Sequence, residues 1–301
     1  MLAKRAFEPE FLKRLDGLIL GIKRARTARI GPRTLGRVQG IGIELENFKD
    51  YVEGDDLRFL DWNAVGRLDE LFIRTFRAER EIEVTILVDN SSSMALPAKD
   101  DKLGLALALG SALAYVGMSE NDAVRMVAFG APDGKTTLRQ TQFRRRRESY
   151  LGLLPFVQQL KGEGAPSLNG AVEQLLLGRR QPGMVVIISD FLVTANDYEI
   201  ALSRLLAARN EVKVIHVMGE RESTGTLAPG FYRMRDCETG QIREIVIGPK
   251  AAAACRAKLE RMVRQLREFC ATRSITYVAA FGAGNLDQII MQEFPRLGLV
   301  R

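Results

Sequence analysis

The fold is decided by residues 83–94, which read EVTILVDNSSSM. Residues 83–88 are mostly β-branched or apolar, which predicts a strand. Polar residues follow at once, beginning with Asp89, so the strand ends there and the chain turns toward a helix. In open α/β sheets, ligands bind where parallel strands end in this way.

A second stretch of this kind lies further along the chain, where residues 184–188 read MVVII and lead into Ser189 and Asp190. A continuous apolar run suits a central parallel strand. Strand and helix patterns alternate along the chain from residue 72 onward, which predicts an α/β fold with a mostly parallel central sheet flanked by helices. The predicted strands are 72–77, 83–88, 123–129, 137–143, 184–188, 212–217 and 275–280, the predicted helices are 102–118, 148–159, 168–177, 196–208, 251–271 and 286–291, and a hairpin is predicted around 238–240.

Side chains at the two strand ends form a set of hard oxygen donors. Asp89, Ser91 and Ser93 follow the first strand, and Asp190 follows the second. Carboxylate and hydroxyl oxygens suit Mg²⁺ or Mn²⁺, and waters or a partner's carboxylate would complete the octahedral shell. The same spacing allows a second interpretation, in which Asp89 and Ser91 only cap the following helix.

The composition excludes several classes of protein. The 301 residues are 46% hydrophobic and 27% charged, which is typical of a folded globular chain and not of a disordered or collagen-like one. A single histidine, His216, excludes multi-histidine zinc sites and argues against most hydrolytic chemistry. Three widely spaced cysteines form no disulfide framework, which favours a reducing compartment.

The net charge of +7 is concentrated at the start of the chain. Residues 1–37 hold ten Lys or Arg and three acids, and the remainder is balanced at 34 of each. Apolar residues at helical spacing predict an amphipathic basic helix over residues 9–28. We interpret it as a docked helix with a solvated basic face, and the alternative is a contact with nucleic acid or a membrane surface.

No signal peptide and no transmembrane segment are expected. Charged residues interrupt the first twenty positions. The sixteen uncharged residues at 103–118 would span about 24 Å as a helix, which is short of the roughly 30 Å hydrocarbon core. We therefore expect a buried helix and a cytoplasmic protein.

The polar segment before the sheet contains the only tryptophan, Trp62. Asp55 or Asp56 can cap a short helix, and Arg58 and Asp61 are spaced to pair on one face. Together with Trp62, these residues form either a clamp that anchors the extension on the sheet or a surface that contacts a partner.

Two motifs resemble known families. Asp89-x-Ser91-x-Ser93 with a later strand ending in Asp190 resembles the metal-ion-dependent adhesion site of von Willebrand factor A domains, which are Rossmann-like. The segment from Tyr51 to Trp62 is similar to the signature of the bacterial domain-of-unknown-function family 58. The resemblance implies residues 1–80 as a basic helix and signature extension, and residues 81–301 as a von Willebrand A-like domain.

The adhesion-site pattern expects a threonine in the loop before a later helix. This chain has Pro166 and Ser167 there. The resemblance therefore implies that Ser167 replaces the threonine as a metal ligand beside Asp89, Ser91, Ser93 and Asp190.

These observations predict a non-enzymatic, metal-dependent protein-binding module. The family resemblance implies an adaptor or co-chaperone that works with a MoxR-type AAA+ ATPase and a protein client in the cytoplasm, with Asp56, Arg58, Asp61 and Trp62 as partner-binding residues. Two alternatives stay open: a Mg²⁺-dependent phosphoryl or phosphodiester hydrolase using Asp89 and Asp190, and a nucleic-acid binder acting through the basic N-terminus.

Overall fold

The computed structural model describes residues 2–21, 27–30, 43–53, 57–68, 70–79, 82–131, 134–178, 181–219, 222, 230–236, 241–282 and 286–301. The chain divides into two compact units: Ile22–Ile82, and Met1–Gly21 together with Glu83–Arg301. The first 21 residues, predicted as part of the extension, are grouped with the larger unit.

The strands, in chain order, are β1 (Thr27–Ile30), β2 (Ile43–Asp50), β3 (Phe72–Glu79), β4 (Glu83–Asp89), β5 (Ala123–Gly130), β6 (Thr137–Gln140), β7 (Met184–Ser189), β8 (Glu211–Met218), β9 (Gly230–Arg235), β10 (Ile242–Ile247) and β11 (Thr276–Phe281). The helices are α1 (Leu2–Arg5), α2 (Pro9–Leu15), α3 (Trp62–Leu68), α4 (Lys102–Ser119), α5 (Leu154–Gln159), α6 (Leu168–Leu177), α7 (Ala195–Ala207) and α8 (Pro249–Thr272), followed by helical turns over Leu286–Gln288, Ile289–Glu293 and Phe294–Arg296.

The larger unit is built on a six-stranded sheet in the order β11-β8-β7-β4-β5-β6. The first five strands run parallel, and only the edge strand β6 is antiparallel. The predicted mostly parallel sheet flanked by helices is thereby confirmed. Strands β4 and β7 lie at its centre, so the continuous apolar runs that predicted them are buried on both faces.

Helix α4 covers one face of the sheet. A Cβ atom added at Gly110 would lie 3.2 Å from Ile86 and 3.3 Å from Met126, so the helix approaches the strands closely. The helix is long and apolar enough to cross a membrane by composition, and 94% of its apolar window is buried in the fold. The opposite face packs against α6, α7 and α8 in one cluster that includes Leu87, Val172 and Leu202.

The predicted N-terminal basic helix is shorter than expected. Helix α2 ends at Leu15, and Gly17 follows with a φ of +92°, which ends the helical path. The chain then pairs with the C-terminus, because Ile19 N donates to Arg301 O at 2.8 Å and Leu20 bridges Val300. The basic residues at 23–26 lie outside the described residues.

The smaller unit holds a three-stranded antiparallel sheet in the order β1-β3-β2 together with α3. Strands β1 and β2 lie outside the predicted elements: β1 has only four residues, and the apolar alternation of β2 is interrupted by a register shift between Leu45 and Asn47. The predicted hairpin corresponds to the antiparallel pair β9 and β10, whose turn at 237–240 lies outside the described residues.

Candidate metal and partner-binding site

Asp89 and Asp190 come together where the parallel strands β4 and β7 have their C-terminal ends, which we call the carboxyl edge of the sheet. Strands β4 and β7 are parallel neighbours in a register that pairs Val88 with Ile188. Asp89 closes β4 and Asp190 follows β7 directly, and both are almost fully buried. Two strand ends far apart in sequence thus place two carboxylates side by side.

The Asp89 carboxylate is held by hydrogen bonds from both strand ends. Ser91 N donates to Oδ1 at 2.9 Å, and the Ser189 hydroxyl donates to Oδ2. Burial and then the charge of Asp190 raise the pKa of Asp89 to about 7, against the lowering effect of these hydrogen bonds. Near neutral pH this carboxyl group is therefore close to the point where it loses its proton.

Ser91 and Ser93 lie on the loop that leaves β4. Their hydroxyl oxygens are 3.0 Å apart and buried, at the start of a short 3₁₀ turn over Ser92–Ala95. The next long helix, α4, is capped by Asp101, whose side chain accepts from Gly104 N. Asp89 and Ser91 therefore do not cap α4. Ser91 precedes the 3₁₀ turn without a side-chain cap hydrogen bond, and Asp89 accepts from Ser91 N.

Lys102 is the site residue that sequence reasoning missed. Its ammonium donates to Asp190 Oδ2 at 3.0 Å and to Glu222 Oε1 at 2.7 Å, and its side chain is only 1% exposed. Asp190 Oδ1 accepts from Leu192 N at 3.1 Å. The sequence does place a lysine at the start of an otherwise apolar helix. Because such a helix is buried, its lysine is expected to lie beside a group of opposite charge.

Lys102 carries a positive charge at this edge. Burial alone would lower its pKa, but the charge of Asp190 and the hydrogen bond and charge of Glu222 raise the pKa above its ordinary value. The buried carboxylates are thus balanced by an ammonium group that belongs to the chain itself.

His216 is a packed core side chain. It is fully buried, its Nε2 lies 3.0 Å from Asp190 O and its Nδ1 lies 2.8 Å from the Tyr277 hydroxyl. A carbonyl can only accept, so Nε2 carries the proton and Nδ1 accepts from Tyr277. Burial lowers the pKa of His216 to about 4, so the ring is neutral.

Ser167 lies on the loop before α6, close to Thr136 and to the first turn of that helix. The backbone of this turn is held by Asp197, which accepts from Leu168 N at 3.1 Å. Among the described residues, no hydrogen bond joins the Ser167 hydroxyl to the other four predicted ligands. Its role as a metal ligand stays a prediction.

The predicted partner-binding residues belong to the smaller unit. Asp56 lies outside the described residues, and Asp61 is buried and accepts from Asn63 N at 3.1 Å. Arg58 is exposed, and Trp62 begins α3 with 69% of its side chain exposed. The unit that carries Trp62 therefore does not bury it, and the choice between a partner contact and a clamp stays a prediction.

The residues at the carboxyl edge fit a hard divalent cation. Asp89 and Asp190 repel each other, and a cation between them would relieve that repulsion. The neighbouring hydroxyls are oxygen donors of the type that Mg²⁺ prefers. Each carboxylate oxygen already accepts one hydrogen bond and retains a further lone pair, so the observed bonds do not exclude a metal.

Comparisons with known proteins identify the family. Residues 47–269 match the family described as Protein of unknown function DUF58. Uncharacterised proteins of Mycobacterium tuberculosis and Mycobacterium bovis are each 30% identical over 266 residues, which cover 85% of this chain and 82% of the relative. The chain belongs to the DUF58 family.

Solved structures with a similar arrangement include the conserved hypothetical protein BatB from Bacteroides thetaiotaomicron, at 18% identity and a TM-score of 0.41, covering 72% of this chain and 98% of that one. An aerotolerance-related membrane protein from Bacteroides fragilis is 17% identical with a TM-score of 0.41, covering 71% and 99%.

Proposed function

We propose that the carboxyl edge of the sheet is a metal-dependent protein-binding site and that the chain is a non-enzymatic adaptor or co-chaperone. One observation carries the proposal: Asp89 and Asp190 are buried side by side at the ends of neighbouring parallel strands, next to the hydroxyls of Ser91 and Ser93. Buried carboxylates of this kind are stable only with a counter-charge.

Asp89 and Asp190 would hold Mg²⁺, or Mn²⁺, with Ser91, Ser93 and Ser167 as further oxygen donors. When bound, the cation would offer a remaining coordination position to a carboxylate of a protein partner. This arrangement is what the resemblance to a von Willebrand A adhesion site implies.

The state of His216 supports binding over hydrolysis. Both of its ring nitrogens are engaged in hydrogen bonds, and the ring is fully buried with a lowered pKa. It is therefore poorly placed to act as a general base at the carboxyl edge.

Ion pairs of the first helices support a protein partner over nucleic acid. Arg5 and Arg14 both pair with Asp287, at 2.6 Å and 3.2 Å, and Asp16 pairs with Arg147. Part of the basic charge of this segment is thus balanced within the fold, which weakens the case for a phosphate-binding face.

The partner that the family resemblance implies is a MoxR-type AAA+ ATPase in the cytoplasm, acting on a protein client. We include Trp62 and Arg58 as a second contact surface, because both are exposed in the smaller unit. Exposed aromatic and arginine side chains are common energetic centres of protein interfaces.

The first test is calorimetric titration of the full chain with Mg²⁺ and Mn²⁺. One site should be seen, and Asp89→Ala should abolish it. Asp122→Asn is the matched control, because that carboxylate is also buried but directly precedes β5, at the opposite end of the parallel strands. Equal metal binding by wild type and Asp89→Ala would contradict the metal assignment.

The second test measures binding to a purified MoxR-type ATPase from the same genome. The ATPase itself needs Mg²⁺, so the metal concentration is kept constant and the variants are compared instead of adding a chelator. We expect Asp89→Ala to weaken binding at least tenfold and Asp122→Asn to leave it unchanged. Unchanged binding by both variants would show that the partner contacts another surface.

A further inference from the structure

The ammonium group of Lys102 lies where the charge of the site must be balanced. It contacts Asp190 Oδ2, an oxygen of one of the two carboxylates proposed to hold the metal, at 3.0 Å. A lysine ammonium and a divalent cation on the same carboxylate repel each other strongly in a buried setting, where the effective dielectric is low. Metal binding to Asp190 therefore requires Lys102 to move away or to share the oxygen at a cost.

The structure provides a second partner to which Lys102 can retreat. Glu222 Oε1 accepts from the ammonium at 2.7 Å, which is closer than Asp190. Its other oxygen, Oε2, accepts from Gly219 N at 3.0 Å, so the carboxylate is held from both sides. Lys102 can thus give up Asp190 and keep a buried ion pair.

A third carboxylate lies beside Gly219. Asp100 is 9% exposed, and among the described residues its Oδ2 is a buried oxygen without a hydrogen-bond partner. A Cβ atom at Gly219 would collide with this oxygen, so the Asp100 carboxylate lies directly against the backbone that also binds Glu222. A buried acceptor without a donor is unusual, and it adds negative potential on the side toward which Lys102 would shift.

Resting on the proposed function, we propose that Lys102 is a built-in counter-ion that competes with the divalent cation for Asp190. In the structure, Lys102 bridges Asp190 and Glu222 and so supplies a counter-charge from the chain itself. In the second state, Lys102 pairs with Glu222 alone and Asp190 is released for Mg²⁺. Metal affinity is therefore set by the position of one side chain, and any partner that draws Lys102 toward Glu222 strengthens metal binding.

The experiment measures Mn²⁺ binding to the full chain by electron paramagnetic resonance, with Mg²⁺ as competitor. Lys102→Met should bind about tenfold more tightly than wild type or better, because the repelling charge is gone. Lys102→Arg keeps the charge and should stay within about threefold of wild type. Lys213→Met is the control, because it removes another fully buried lysine, whose contacts are the carbonyls of Gly21 and Gly298 and the carboxylate of Glu211, away from the carboxyl edge.

Glu222→Gln tests the second state. It removes the partner to which Lys102 retreats, so Mn²⁺ should bind several-fold more weakly than to wild type. In a Lys102→Met background the same substitution should have a much smaller effect, since it acts through the lysine. An equal effect in both backgrounds would show that Glu222 acts on the metal directly and would overturn this part of the proposal.

Lys102→Gln serves where Lys102→Met does not fold, because it keeps a hydrogen-bond donor for Asp190 without the charge. Folding of each variant is checked by circular dichroism. If a folded, uncharged variant at position 102 binds Mn²⁺ with wild-type affinity, the competition is absent but the metal site stands. If that variant and wild type both fail to bind, the inference and the proposed metal site fail together.

Discussion

Two buried lysines of the larger unit differ in what surrounds the ammonium group. Lys102, at the carboxyl edge of the sheet, contacts the carboxylates of Asp190 and Glu222. Lys213, near the start of β8, contacts the backbone carbonyls of Gly21 and Gly298, and its ion pair with Glu211 is longer, at 3.4 Å.

The difference indicates that the charge of Lys213 has a structural role, whereas that of Lys102 can be replaced by another cation. The carbonyls around Lys213 belong to the two terminal segments, which also pair through Ile19 and Arg301, so this lysine fastens the ends of the chain together. The carboxylates around Lys102 carry full negative charges, and another cation can satisfy them. Burial alone does not distinguish the two, but the charge of the acceptors does.

The largest expected effect is on stability. Without metal, Lys102→Met should lower the free energy of unfolding by about 3–5 kcal/mol, because it leaves a buried carboxylate without a counter-charge. Lys213→Met should cost less, about 1–3 kcal/mol, since most of what it leaves behind are unpaired carbonyls. Urea unfolding followed by circular dichroism measures both. A larger loss for Lys213→Met would reverse the comparison.

Added Mg²⁺ should stabilise Lys102→Met more than Lys213→Met, because both variants keep the proposed metal site and only the first has lost the competing charge. A ligand present at a hundred times its dissociation constant stabilises the folded state by about 2.7 kcal/mol, and a tenfold tighter site adds about 1.4 kcal/mol. The same unfolding experiment with and without Mg²⁺ gives the difference. Equal stabilisation of the two variants would show that Lys102 does not compete with the cation.

The free energy of unfolding should also depend on pH through two groups at the carboxyl edge, Asp89 and His216, whose effects are opposite in sign. The pKa of Asp89 rises from 3.8 to about 7 on folding, so its contribution to stability falls as pH rises from about 4 to about 7. The pKa of His216 falls from 6.5 to about 4, so its contribution is lost as pH falls through the same window. The two effects therefore oppose each other over the same range of pH.

In Asp89→Asn, the pH dependence due to His216 should therefore remain alone, and the free energy of unfolding should rise with pH between about 4 and 6.5. His216→Gln should show the reverse, a stability that falls over this range. Urea midpoints measured in steps of pH test both, with Lys213→Met as a variant that keeps the wild-type pH profile. Parallel profiles for Asp89→Asn and wild type would mean that Asp89 is ionised throughout.

The smallest effect is expected at Ser167. Its hydroxyl lies beside Thr136 and the first turn of α6, and no hydrogen bond to Asp89 or Asp190 is seen. We expect Ser167→Ala to change Mg²⁺ affinity by less than about threefold, as an outer oxygen donor would. Calorimetric titration with Mg²⁺ measures the affinity, and the loss caused by Asp89→Ala serves as the reference. A loss as large as that of Asp89→Ala would place Ser167 among the principal ligands.

Much of the larger unit could be predicted from the sequence, because its elements are specified locally. The apolar runs before Asp89 and Asp190 can only be buried strands, and helix α6 has the predicted bounds, residues 168–177. Parallel neighbours end at the same edge, so the meeting of Asp89 with Asp190 follows from the strand pattern together with the sheet order.

The smaller unit was harder to predict, since β1 and β2 are specified by pairing with β3 and not by their own residues. The early end of α2 has a similar cause, because the segment after Gly17 pairs with the distant C-terminus.

The order of amino acids is enough to predict the alternation of strands and helices, the two acidic strand ends and the buried helix α4. Which charges meet depends on how these elements pack, because Lys102 lies 88 residues from Asp190 and 120 from Glu222. Apolar periodicity predicts which face of an element is buried, because the hydrophobic effect scales with apolar area and does not depend on the direction of individual contacts. An ion pair or hydrogen bond depends on where two side chains point after packing, and that information exists only in the folded chain.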